Sequence, residues 1–246
     1  MATLSGKSAL VTGGSRGIGA AIARRLAKEG AAVAITYSSS QERAQLVVDD
    51  IVTGGGQAIT IKADAADQVA VRAAVQQAAK EFGKIDILVN NAGLLALGPI
   101  TDFPADDFEK ALSVNVRSVF TATQEAVRHM PDGGRIITIG SVNSERMPFV
   151  GGSVYALTKG AVASFTKGLA RDLGARKITV NNIQPGPVDT EANPASGPFA
   201  DTLLGLMAMK RYGHADEIAA MTAYLAGPEA GYVTGASLLI DGGFAA

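Results

Sequence analysis

The chain has 246 residues, 47% of them hydrophobic, enough for a sizeable core in one large domain or two small ones. With 22 basic against 23 acidic residues the formal charge is −1, and no basic run is long enough to track a nucleic-acid backbone or an anionic membrane. There is no cysteine, and His129 and His214 are far apart, which excludes disulfides, thiol chemistry and thiolate metal sites and argues against any zinc centre.

Met1 leads through Thr3, Ser5 and Lys7 into the first apolar run without a secretory h-region, and nowhere do about 18 apolar residues run uninterrupted. A cytoplasmic protein without membrane spans is expected. Strands are expected at Ser8 to Thr12, Ala32 to Tyr37, Ala58 to Lys62, Ile85 to Asn90, Arg135 to Ser141, Thr179 to Gln184 and Ser237 to Ile240. Between them, Gly19 to Glu29 and Gln68 to Phe82 repeat apolar residues at helical spacing. Strands that are apolar throughout are covered by helices on both faces. The pattern therefore predicts an α/β fold, a doubly wound parallel seven-stranded sheet of Rossmann type, with its ligand crevice at the carboxyl ends of the strands. No linker or repeat divides the chain, so residues 1–246 read as one domain. Residues 185–211, with four prolines and an apolar run from Leu203 to Met209, read as a substrate loop or lid.

The first strand is followed by Thr12-Gly13-Gly14-Ser15-Arg16-Gly17-Ile18-Gly19 and then a helix. Glycines permit a tight turn and close backbone approach, and a helix N-terminus carries partial positive charge, so this is a candidate pyrophosphate site. Tyr155 and Lys159 are spaced i, i+4 and share one face of a helix expected over Ala156 to Leu173, while Ser141 ends the fifth strand. An ammonium about 4 Å from a phenol contributes on the order of 4 kcal/mol at an effective dielectric of about 20. At about 1.4 kcal/mol per pK unit, a depression of the Tyr155 pKa by up to roughly three is expected. Tyr155 would then donate a proton to a carbonyl oxygen that Ser141 orients. His129 and His214 lie in no motif and read as surface residues.

The spacing Gly13-x3-Gly17-x-Gly19 resembles the TGxxxGxG turn of short-chain dehydrogenases/reductases. The resemblance continues through Asn90-Asn91-Ala92-Gly93, Asn115, Ser141, Tyr155-x3-Lys159 and Pro185-Gly186-Pro187-Val188-Asp189-Thr190, so that it covers essentially the whole chain. It implies an oxidoreductase with a nicotinamide cofactor. It also implies that Asp64 and Ala65 hold the adenine, that Asn91, Ala92 and Gly93 line the nicotinamide ribose, and that Lys159 binds ribose hydroxyls beside Tyr155. By the same resemblance Pro185, Gly186, Val188 and Thr190 meet the carboxamide end, and Asn115 holds a water connecting Lys159 to solvent. After the second strand, Tyr37-Ser38-Ser39-Ser40 offers hydroxyls where an NAD site carries an acid, and Arg16 sits in the glycine turn, so NADPH/NADP+ is favoured over NADH.

Leu95, Asn143, Phe149, Pro187 and Met207, with Val150, Phe199, Leu203, Leu204 and Leu206, suggest an apolar pocket for a small-molecule ketone or an acyl thioester. The chain is similar to the branch containing 3-oxoacyl-[acyl-carrier-protein] reductases, and Arg128 and Arg171 fall near that branch's carrier-binding basic residues. The stretch from His129 to Gly133 is shortened, which favours a general carbonyl reductase or alcohol dehydrogenase. Gln184 to Pro194 and the chain's end also resemble a bacterial branch associated with cyclic-di-GMP binding and biofilm dispersal, which leaves a regulatory protein as the alternative. The terminal run Thr234 to Gly243 is an edge strand, and the family implies a homotetramer.

Overall fold

The structure, a computed structural model, describes residues 3–246. Its elements in chain order begin with β1 (Ser8–Val11), α1 (Gly17–Lys28), β2 (Ala32–Tyr37), α2 (Gln41–Thr53), β3 (Ala58–Lys62), α3 (Gln68–Phe82) and β4 (Ile87–Asn90). They continue with α4 (Ala105–Leu112), α5 (Ser118–His129), β5 (Arg135–Ile139), α6 (Ser153–Leu173) and β6 (Thr179–Pro185). The last part holds β7 (Val188–Asp189), α7 (Ala200–Leu206), β8 (Gly213–His214), α8 (Ala215–Ala226) and β9 (Ser237–Ile240).

Seven strands form one parallel sheet in the order β3-β2-β1-β4-β5-β6-β9. The period of two sorts their side chains onto two faces. Ala9, Val11, Val33, Ile35, Ile87, Val89, Ile137 and Ile183 join a core with α1, α2 and α8, whereas Leu10, Ala34, Leu88, Ile136 and Val180 join one with α3, α5 and α6. Both faces are covered, which explains strands such as Ser8–Val11 in which every residue is buried. Helix ends follow local chemistry. The Asp67 carboxylate accepts from the N–H groups of Val69 and Ala70 to start α3, and Gly83, with φ 77°, ends it in the left-handed region.

All seven expected strands are present. β4 is shorter than expected, starting at Ile87; the Asp86 backbone before it still bonds to Ser8 and Arg135 on either side, and its buried carboxylate accepts from the Ser8 N–H at 2.9 Å and pairs with Lys7 and Lys84. β5 ends at Ile139 because Ser141 instead opens a single 3₁₀ turn, Val142–Ser144. The short parallel pair β7–β8 has no counterpart in the sequence reading, since two-residue strands carry no periodicity. Among the described residues no helix is long and apolar enough to cross a membrane. The chain order reverses between β1 and β4, and the crevice above that reversal is where the candidate residues gather.

Candidate active site

The glycine turn between β1 and α1 is held from both sides. The N–H of Gly13 donates to Thr36 Oγ1 at 3.0 Å and that of Gly14 to the Thr36 carbonyl at 2.9 Å, both at the end of β2. From β4 the Asn91 carboxamide donates to the carbonyls of Thr12 and Gly13 at 2.9 and 3.0 Å, and Thr12 Oγ1 accepts from the N–H groups of Asn91 and Ala92. At Gly19 a Cβ would stand 2.4 Å from both the Gly13 carbonyl oxygen and Asn91 Nδ2, so the close approach requires glycine. Gly17 has φ +53°. Helix α1 then begins at Gly17 with no side-chain cap from Arg16 and no acid in its first turn, leaving the dipole end of the helix to an anion. Ser15 and Ile18 lie in this turn.

Around the rim, Tyr37 is buried at the end of β2 while Ser38 and Ser39 are exposed. Asp64 and Ala65 follow β3, where Asp64 turns its carboxylate onto the Ala66 N–H at 2.9 Å. Pro185 closes β6, Pro187 and Val188 are buried beyond it, and Gly186 must be glycine because a Cβ would lie 2.7 Å from the Asp241 backbone. Thr190 lies against the glycine turn, its Cγ2 3.4 Å from where a Gly17 Cβ would be. Beside it, Glu191 Oε2 lies 3.9 Å from Arg16 Nη1 and also pairs with Arg43 of α2.

Tyr155 and Lys159 project from the first turns of α6. Lys159 is 6% exposed, its ammonium donating to the Ile139 carbonyl at 3.0 Å and standing 5.8 Å from the Tyr155 ring centre. A Cβ at Gly93 would sit 3.5 Å from Lys159 Nζ and 3.7 Å from Asn115 Oδ1, so these three residues share one small space. Asn115 lies in a π-turn, Ser113–Arg117, that joins α4 to α5. Its carboxamide clamps Leu94, donating to the carbonyl at 2.8 Å and accepting from the N–H at 2.7 Å, and also donates to Thr158 Oγ1 at 3.0 Å. Ser141 is 7% exposed and exchanges hydrogen bonds with Asn143, accepting from its N–H at 3.1 Å and donating to its Oδ1 at 3.2 Å.

The electrostatics differ from the expected ones. Burial, with no ion partner beside it, lowers the Lys159 pKa from 10.5 to about 8. Burial also pushes the Tyr155 phenol up, and a hydrogen bond from Ser141 only partly opposes that. The expected depression of Tyr155 by Lys159 therefore does not operate in this arrangement, because desolvation outweighs attraction across the observed separation.

The residues expected to line a substrate pocket divide. Met207 is 1% exposed, packed with Val142, Ala200, Tyr212 and Phe244, so it belongs to a buried cluster that includes the start of α7. Leu95, Val150 and Phe199 are exposed and Phe149 is partly buried, and the Gly98 N–H donates to the Gly151 carbonyl at 2.9 Å to join the two loops that carry Leu95 and Phe149. His129 is paired with Glu125 on α5, and His214 caps α8, each away from the Ser141 cluster. Arg128 also pairs with Glu125, and Arg171 is exposed in the last turn of α6. Thr12, which opens the glycine-turn motif, organises the site together with Thr36 and Thr158, whose only signal was a place beside a motif residue. Arg43 carried none, and Glu191 only its place in the stretch Gln184 to Pro194.

A family model described as "Enoyl-(Acyl carrier protein) reductase" matches residues 13–245. The cyclic-di-GMP-binding biofilm dispersal mediator protein of Escherichia coli K12 is 48% identical over 246 residues, covering all of both chains. Among solved structures, a short-chain dehydrogenase/reductase from Serratia marcescens BCRC 10948 is 62% identical with a TM-score of 0.98, over 99% of this chain and 100% of that one. A short chain dehydrogenase from Burkholderia cenocepacia J2315, in complex with NADP, is 54% identical with a TM-score of 0.98 over the same shares.

Proposed function

This chain belongs to the short-chain dehydrogenase/reductase family, and from that premise we propose that it is an NADPH-dependent oxidoreductase that reduces a ketone or 3-oxoacyl carbonyl to a secondary alcohol. The observation that carries the reading is the convergence of Ser141, Tyr155 and buried Lys159 beside an uncapped helix N-terminus at the reversal point of the sheet. The crevice fits a dinucleotide phosphate. Its glycine turn has no room for a Cβ at Gly19, its helix end is free of acid, Arg16 stands in the turn with an exposed guanidinium, and Ser38 and Ser39 are exposed at the end of β2. The NADP complex of the Burkholderia relative supports the same cofactor.

In this reading Gly13, Ser15, Gly17, Ile18 and Gly19 would hold the pyrophosphate, Arg16, Tyr37, Ser38 and Ser39 the 2′-phosphate end, and Asp64 and Ala65 the adenine. Asn91, Ala92, Gly93, Tyr155 and Lys159 would hold the nicotinamide ribose, and Pro185, Gly186, Val188 and Thr190 the carboxamide. When bound, the reduced nicotinamide supplies a hydride to the carbonyl carbon. Tyr155 keeps its proton at neutral pH because its phenol is raised by burial, and it gives that proton to the carbonyl oxygen. Ser141 exchanges its bond to Asn143 for one to the same oxygen and holds it in place. Lys159, whose pKa of about 8 lies near physiological pH, can restore the lost proton, and Asn115 keeps Leu94 and Thr158 fixed around it. Leu95, Asn143, Phe149, Pro187 and, once the lid shifts, Met207 would face the substrate. The reading treats residues 1–246 as one dinucleotide-binding and catalytic domain with 185–211 as lid, in the cytoplasm. A homotetramer is supported by exposed apolar groups: Phe120, in ring contact with Phe165, Leu157 on α6, and Tyr232 and Leu239 at and before the edge strand β9. A light-scattering mass of one chain at micromolar concentration would exclude it.

The chain lacks tryptophan, so NADPH's own fluorescence reports binding cleanly. NADPH should bind more tightly than NADH, and a panel of ketones, an acetoacetyl thioester and an enoyl thioester should show turnover on the carbonyls. Turnover of the enoyl thioester alone would overturn carbonyl reduction. Tyr155→Phe should lower kcat by at least about 1000-fold while the NADPH Kd rises no more than about threefold, the signature of a group whose contact with the ribose is minor beside its part in the chemistry. The 48% identity to the Escherichia coli protein favours a second reading, a cyclic-dinucleotide-binding regulator. The complete set of Asn115, Ser141, Tyr155 and Lys159, for which a pure sensor has no physical need, favours catalysis. Binding of NADPH without turnover, together with competition by cyclic di-GMP, would reverse that order.

A further inference from the structure

We propose that Arg43 selects for the 2′-phosphate of the cofactor, and that Glu191 is an internal anion which holds Arg43 and Arg16 until that phosphate displaces it. The proposal rests on the NADPH reading above and adds two residues to it, Arg43 from outside every motif and Glu191 from just beyond Thr190.

Three segments that are distant in sequence meet at one carboxylate oxygen. Arg16 belongs to the glycine turn, Arg43 to the first turn of α2, and Glu191 to the loop after β7. Glu191 Oε2 is 3.9 Å from Arg16 Nη1 and also accepts from Arg43 Nη1. Two guanidinium groups are thus drawn together around a single negative charge. A phosphate monoester carries about −1.5 to −2 near neutral pH and accepts bidentate bonds from arginine, so it matches two arginines better than one carboxylate does. The surroundings are right for such a group: Ser38 and Ser39 are exposed at the end of β2, and Ser40 starts α2 without capping it through its side chain.

The carboxylate is also placed where it must give way. Thr190, its neighbour, reaches to 3.4 Å from the position of a Gly17 Cβ, so the loop carrying Glu191 rests on the anion-binding turn. Cofactor entry has to lift this loop. The side chains of Arg16, Arg43 and Glu191 are 57%, 50% and 54% exposed, and exposed ion pairs are weak enough for a ligand to open. NADH, with a hydroxyl in place of the phosphate, gains nothing from the freed arginines, whereas NADPH replaces the lost pairs with stronger ones.

The test is to titrate NADPH and NADH into wild type, Arg43→Gln, Glu191→Gln and the double variant, with melting temperatures as a folding control. Arg43→Gln should weaken NADPH about tenfold and leave NADH within about twofold. Glu191→Gln should raise the NADPH-to-NADH affinity ratio about threefold, as expected for removing an exposed competitor, and that gain should shrink in the Arg43→Gln background. Adenosine 2′,5′-bisphosphate should follow the NADPH pattern and AMP the NADH pattern. Equal effects of Arg43→Gln on both nucleotides, or no effect, would overturn the role of Arg43; a lower ratio for Glu191→Gln would overturn the displaced anion. Failure of the wild type to bind either nucleotide would instead sink the cofactor reading itself.

Discussion

The two walls of the crevice are built on opposite terms. On the glycine-turn side the backbone groups of Thr12, Gly13 and Gly14 are tied to neighbouring strands, and at Gly19 there is no room for one added carbon. On the facing side, that of the proposed lid, residues 188–212 rest on a five-residue buried cluster, a two-residue strand pair and exposed ion pairs, with Phe199 and Met209 left open. A wall that meets the same phosphates in every turnover gains from being fixed in advance. A wall that must admit and release ligands is drawn from the least stable part of the fold.

The same substitution should therefore have opposite consequences in the two walls. Gly19→Ala puts a Cβ 2.4 Å from a backbone oxygen, which the turn can relieve only by moving. The expected result is a loss of about 1–3 kcal/mol in stability, measured by denaturant unfolding, and at least about 100-fold in NADPH affinity. Gly205→Ala, in the lid helix α7, meets nothing within 4 Å. It should be neutral or stabilising by up to about 1 kcal/mol through helix propensity. Equal effects at the two positions would show that the lid is as tightly built as the turn.

Between the walls, Lys159 is a place where stability has been given up. Its pKa lies at about 8 in the folded protein against 10.5 for an ordinary lysine. Below about pH 8 both the folded and the unfolded chain bind the proton, and the folded state carries the full cost of a buried ammonium, on the order of 3 kcal/mol. As pH rises from about 8 toward 10.5 only the unfolded chain keeps the proton, so the wild type should gain stability over that window. Lys159→Met removes the charge but leaves the Ile139 carbonyl without its donor, which offsets about 1 kcal/mol. The variant should be inactive yet more stable by about 1–2 kcal/mol at pH 7, with the advantage shrinking by pH 9.5. A variant less stable than wild type at pH 7 would mean that the ammonium is solvated or paired.

Much of this was legible in the sequence because it depends on patterns with a period or a fixed spacing. The seven strands, the turn from Gly13 to Gly19, and the i, i+4 pair of Tyr155 and Lys159 are of that kind. What escaped depends on distance in space. The clasp of Arg43 and Glu191 joins residues 148 positions apart, and neither side chain is unusual where it stands. The π-turn that holds Asn115 is one extra residue in a helical stretch, invisible to periodicity. The direction of the Tyr155 shift turned on burial against a separation: the spacing put the two side chains on one face but did not set how far the ammonium lies from the phenol or how little water reaches either.

The smallest expected effect lies where the lid rejoins the body of the fold. Arg211 donates to both oxygens of Glu217, at 2.7 and 2.8 Å, and Glu217 in turn accepts from the His214 N–H at the start of α8. The hydrogen bonds from Arg211 first, and then that from the His214 backbone, lower the Glu217 pKa from 4.5 to about 2. A carboxylate whose pKa is depressed on folding contributes stability above the unfolded value, here about pH 4.5, and loses it as pH falls toward about 2. Glu217→Gln should thus cost about 0.5–1 kcal/mol at pH 7, the ordinary worth of a helix cap with an exposed ion pair. The gap between variant and wild type should close by about pH 2. If the lid is anchored mainly here, the variant should also expose residues 188–212 to faster hydrogen exchange while the glycine turn stays protected. Exchange that quickens equally in both would mean that the two walls unfold as one.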